Sequence, residues 1–268
     1  MPRLGSTLMS LALVGVITLT AYAGPELVAA AVLVVQVLIA LAPSAIDPAG
    51  RAIPSPHFVA ALVAGVVATL ITLFPGLLDG ATGSSPDVVG ATDHGMLAGI
   101  MPAIAVAVFV ALMAQMLRTD GRSDLVPSTT YAVTLGVFAA LATGWIGAAQ
   151  SLGGAEVVAI GSAGVAAGLL GWLVPIDRFV AASLAILTGA LGGAAVAASV
   201  DSPMTWLFGV AIGSAAALFA VLGQVLGRAW SRGRRHAAAG WGFPGAMSVA
   251  LAAPLVYVGG QLIGMSGV

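Results

Sequence analysis

The sequence predicts an all-α, polytopic integral membrane bundle of about nine transmembrane helices, forming a single domain over residues 1–268. Hydrophobic residues make up 60% of the chain and charged residues only 7%. Soluble domains have about 45–50% and about 25%, so lipid rather than water is the solvent for most of this surface. Apolar stretches of about 20 residues, the length that crosses a hydrocarbon core, recur between short polar breaks. The cationic residues, finally, collect in alternate breaks.

The stretches lie at 6–23, 26–43, 58–75, 95–117, 128–148, 155–174, 179–198, 204–227 and 243–263. The first two are joined only by Gly24-Pro25-Glu26, which is short enough to force an antiparallel hairpin. The first stretch also resembles a secretory signal, with Arg3 ahead of it and Ala21-Tyr22-Ala23 at its end. Removing it would break the charge alternation described below, so it is expected to stay as a span. The fourth stretch contains Pro102 after Met101, the best sequence candidate for a broken helix. From the sixth stretch onward small residues pair four apart: Gly164/Gly168, Gly189/Gly193, Gly209/Gly213, Gly223/Gly227 and Gly260/Gly264. Helices associate in lipid by close backbone approach, so these pairs predict a tightly packed C-terminal bundle.

Lysine is absent, and Arg3, Arg51, Arg118, Arg122, Arg178, Arg228, Arg232, Arg234 and Arg235 account for all nine cationic residues. Nine alternating spans that start with Arg3 inside place every one of them on the inner face. Asp47, Asp120, Asp124 and Asp177 share that face, for a net charge of +5 (nine minus four). Glu26, Asp79, Asp87, Asp93, Glu156 and Asp201 fall outside, for −6. The positive-inside rule therefore predicts a cytoplasmic N-terminus and an external C-terminus. The all-arginine, Ala/Val/Gly-rich composition resembles that of a high-GC bacterial genome, and the expected location is a bacterial inner membrane.

Several chemistries are excluded. With no cysteine there is no disulfide, thiolate nucleophile or Cys-ligated metal centre. No ionisable side chain lies in the middle of a span, where coupled transporters and pumps usually carry one. His57, His94 and His236 lie at or beyond span ends, which argues against paired haem ligation. Walker, dinucleotide-binding, zinc-protease and nucleophile-elbow motifs are all missing. The outer segment 76–94 offers Asp87, Asp93 and His94 as cation donors, and reads foremost as a solvated connector. Neither a cofactor site nor a metal site is expected, and a net charge of −1 gives no sign of nucleic-acid binding.

The densest polar segment is Gly227-Arg228-Ala229-Trp230-Ser231-Arg232-Gly233-Arg234-Arg235-His236. Arg228, Arg232, Arg234 and Arg235 are the candidate contacts for anionic headgroups, since guanidinium forks suit phosphate and each is worth about 1 kcal/mol at such a surface. They read foremost as the topology signal that an inner loop requires.

The segment Gly223-Gln224-Val225-Leu226-Gly227-Arg228-Ala229-Trp230-Ser231-Arg232, followed by Gly240-Trp241-Gly242-Phe243-Pro244-Gly245-Ala246-Met247-Ser248-Val249-Ala250, resembles the C-terminal signature of the integral-membrane phosphatidate cytidylyltransferases, the CDP-diacylglycerol synthases. Gly223 and Arg232 agree in the first element, and Gly240 and Gly242 in the second. The family's carboxylates are replaced: Gln224 and Gly227 stand at the Asp and Glu of the first element, and Ala246 and Val249 at the aspartates of the second. The resemblance implies a helical frame with a basic inner loop but without the oxygen ligands that a metal-dependent nucleotidyl transfer requires.

Three functions are consistent with these residues. The leading one is a non-catalytic scaffold, partner or lipid-binding subunit of the envelope or of lipid metabolism, whose partners are membrane lipids, anionic phospholipid among them, and a protein in the membrane. The second is a transporter for a small solute or lipid. The third is a lipid-headgroup enzyme using Asp120, Asp124 or Asp177, the first two of which flank Gly121-Arg122.

Overall fold

The computed structural model describes residues 2–44, 52–74, 76–77, 95–118, 124–151, 153–200, 205–231 and 242–265. Ten helices follow in order: α1 (Pro2–Ala21), α2 (Pro25–Ala40), α3 (His57–Leu73), α4 (Gly95–Met116), α5 (Leu125–Leu141), α6 (Gly144–Ala149), α7 (Gly154–Trp172), α8 (Arg178–Ser199), α9 (Trp206–Trp230) and α10 (Phe243–Met265). The chain is a helical membrane bundle in which, among the described residues, seven helices are long and apolar enough to cross a bilayer, α5 and α6 counting together as one.

Each of the nine apolar stretches falls on helix, with three differences of extent. Helices α2 and α3 have 16 and 17 residues, or about 24–26 Å at a rise of about 1.5 Å per residue, short of a core about 30 Å thick. Both end just before a proline, α2 at Ala40 with Pro43 following and α3 at Leu73 with Pro75 following, because the residue ahead of a proline is pushed out of helical geometry. Pro102, by contrast, lies inside an unbroken α4. The interruption falls in the fifth stretch at Ala142–Thr143, where the Thr143 hydroxyl donates to Ala140 O (2.7 Å) and the chain re-enters helix as α6. Trp145 of α6 is fully buried and its indole N–H donates to Val249 O of α10 (3.0 Å).

Successive long helices run in opposite directions, and contacts between their ends show it. One end gathers the starts of α1, α3, α5 and α10 with the ends of α2, α4 and α9, through Thr7–Gln224, Ala42–His57, Pro54–Arg118, Tyr131–Trp230 and Trp230–Phe243. Arg228 lies over Trp172, which adds the end of α7, and Arg178 opens α8 just beyond it. This is the arginine end, since the described arginines Arg3, Arg118, Arg178 and Arg228 all sit in its helix termini. Glu26 and Glu156 lie in the first turns of α2 and α7 at the opposite, glutamate end. The tight α1–α2 turn there needs Gly24, whose φ of 138° L side chains rarely adopt.

Glycine sets the packing of α7, α8 and α9. A Cβ added at Gly164 would lie 2.5 Å from Gly213 Cα, and one at Gly209 would lie 2.5 Å from Gly193 O. A Cβ at Gly189 would sit 2.8 Å from Gly213 O and 3.0 Å from Gly164 O. Three backbones thus meet where side chains would hold them apart. Helix α10 is seated among α1, α2, α5, α6, α7 and α9. Of the seven helices long enough to cross, it is the most deeply buried. The same device holds it there, Gly223 of α9 lying on the backbone of Met247 and Gly227 on Pro244. Among α2, α3 and α5 a polar clasp takes over. Gln36, fully buried, donates from Nε2 to Thr69 Oγ1 (3.0 Å) and Ala139 O (3.1 Å), and Gly65 leaves room for its side chain.

Replacing Gly213 by Val should lower the thermal unfolding midpoint in detergent sharply, because overpacking against backbone costs about 1–3 kcal/mol or more. Gly15→Ala is the control, since a Cβ there meets nothing within 4 Å and should leave the midpoint within a degree or two. Equal loss in both, read by dye-free differential scanning fluorimetry, would contradict the backbone-contact account.

Candidate functional site at the arginine end

The last turns of α4 and α9 repeat one construction. In each, a buried glutamine sits one helical turn before an arginine, three or four residues apart and therefore on the same face. Gln224 is fully buried on α9, and its Oε1 accepts from Arg228 Nη2 (2.7 Å) while its Nε2 donates across to Thr7 Oγ1 of α1 (3.2 Å). Arg228 Nε also donates to Gln224 O (3.1 Å), the carbonyl one turn earlier on the same helix. On α4, Gln115 Oε1 accepts from Arg118 Nη1 (2.7 Å), and its Nε2 donates to Ser128 Oγ of α5 (2.6 Å). An amide that receives a guanidinium on one side and gives its own N–H to a neighbouring helix on the other fixes the direction of both groups.

The guanidinium carbon of Arg228 stands 6.0 Å from the Trp172 ring centroid, within cation–π range. Arg118 Nη1 also donates to Pro54 O (3.3 Å), and Ser128 Oγ donates to the same carbonyl (2.7 Å). The 52–56 segment is further tied by Ser55 Oγ, which donates to Ser128 O (3.0 Å). His57 sets Nδ1 3.1 Å from Ser55 O and Nε2 2.9 Å from Ala42 O, of which a neutral ring can donate to only one. Tyr131 donates its hydroxyl to Pro43 O.

A train of rings runs inward from this belt. His57 meets Tyr131 edge-on with centroids 5.4 Å apart, Tyr131 meets Trp230 at 5.6 Å, and Trp230 stacks on Phe243 at 6.2 Å while touching Phe138 at 5.9 Å. Amphipathic rings favour the level where hydrocarbon gives way to headgroups, so belt and ring train mark this end as an interfacial layer.

Of the four sequence-predicted headgroup contacts, Arg228 is half-buried in this layer. Arg232, Arg234 and Arg235 lie outside the described residues, as do Asp120, Asp87, Asp93 and His94. Asp177 caps α8, accepting from Phe179 N (2.9 Å), and Asp124 precedes α5 in the left-handed region at φ 55°. No grouping of three or more His, Cys, Asp or Glu able to hold a metal occurs among the described residues. The two segments that carry the cytidylyltransferase resemblance pack directly on each other through Gly223 on Met247 and Gly227 on Pro244. The pairing of these glutamines with arginine is absent from the sequence reading above, although the Gln-x-x-Arg and Gln-x-x-x-Arg spacings at helix ends signal it.

Gln224→Leu should destabilise the protein by about 1–3 kcal/mol, because the half-buried guanidinium and Thr7 each lose a partner. Arg228→Met on top of it should cost less than the two single changes together. A double-mutant cycle on chemical unfolding in micelles reads this as a coupling energy of about 0.5–3 kcal/mol, and additive losses would mean that the pair does not act as a unit. Neither a family model, nor a curated protein, nor a solved structure matches the chain.

Proposed function

We propose that this chain is a non-catalytic, lipid-binding scaffold of a bacterial inner membrane, crossing it nine times with the arginine end in the cytoplasm. The observation that carries the reading is Arg228, whose plane is set by Gln224 and Trp172 at the last turn of α9, where the chain enters the segment containing Arg232, Arg234 and Arg235. A guanidinium held in a fixed orientation loses less entropy on meeting a phosphate than a free one, and the three arginines that follow extend the positive surface. The interfacial ring train and the inner charge of +5 support the same orientation.

On this reading α2 and α3 cross despite their 16 and 17 residues, helped by locally thinned lipid. Because the chain has no cysteine, single cysteines report topology without background. Cysteines placed at Ser55 and at the exposed Ala229 should react with a membrane-impermeant maleimide in inverted vesicles only, and one at the exposed Ala23 in right-side-out cells only. Labelling of Ser55→Cys from outside would overturn the nine-span arrangement.

Native mass spectrometry of gently extracted protein should retain anionic phospholipid in preference to zwitterionic lipid. Replacing Arg228, Arg232, Arg234 and Arg235 by Gln should remove most of that preference, each arginine contributing about 1 kcal/mol. Equal lipid retention in both forms would reduce these arginines to topology signals.

A second reading, transport, draws on the break at Ala142–Thr143 and on the two three-helix packs, α3–α5 and α7–α9, whose corresponding members run in opposite directions on either side of α6. Opposed packs around a broken helix are one way to build alternating access. Solute flux into proteoliposomes above protein-free vesicles, lost when Thr143 is replaced by Val, would favour it over the scaffold.

A further inference from the structure

We draw no further inference here: the strongest candidate, the open groove of about 440 Å³ beside Ser162 between α1, α7 and α8, is lined by apolar and small side chains, the Ser162 hydroxyl is itself covered rather than presented to it, and nothing in the structure shows what covers the groove.

Discussion

Lipid tails are as apolar as leucine, so burial of apolar side chains gives these helices little reason to leave the bilayer for one another. What remains is dispersion between closely approaching backbones, and the bundle depends on it. At Gly164, Gly189, Gly193, Gly209 and Gly213 three helices come within a distance that a single methyl group would prevent. The contact energy is small per atom pair and grows with the length over which the backbones stay in register. That is why the small residues repeat along each helix. The same constraint fixes α10, which enters the centre of the bundle only because Gly223 and Gly227 let it lie on α9.

Polar groups act where this packing ends. Each buried amide or hydroxyl must find a partner inside the protein, which turns the few present into directional fasteners. Gln36 fastens α2 to α3 and α5 deep in the bundle. Gln115 and Gln224 do so at the arginine end, each also holding an arginine in place. The guanidiniums of Arg118 and Arg228 are in this way held fixed rather than left to swing in solvent. Tyr131 and Trp230 extend the fastening inward, linking the segment before α3 to the start of α10.

The chemistry that the bundle lacks is as informative as what it holds. Asp177 caps α8, whereas Asp124 stands at the entry to α5 without a side-chain capping bond. The positions at which the cytidylyltransferase pattern carries acids hold Gln224, Gly227, Ala246 and Val249. Gln224 and Gly227 have evident structural uses, an interhelical clasp and a backbone contact.

Much of the fold was legible in the sequence because its causes are local. Apolar runs long enough to span, prolines that end α2 and α3, and small residues four apart all act within a few residues of where they are read. The arginine end was legible too, since charge in alternate loops needs only the count of turns between them. What only the tertiary structure decided depends on residues far apart in the chain. The helix breaks at Ala142–Thr143 rather than at Pro102, and Trp145 of the short helix that follows bonds to Val249 over a hundred positions away. A proline inside a helix leaves one carbonyl short of a donor, whereas tertiary contact can displace a whole turn. The groove beside Ser162 is likewise invisible in sequence, being the space that three helices fail to fill, and a space of that kind exists only after they have packed.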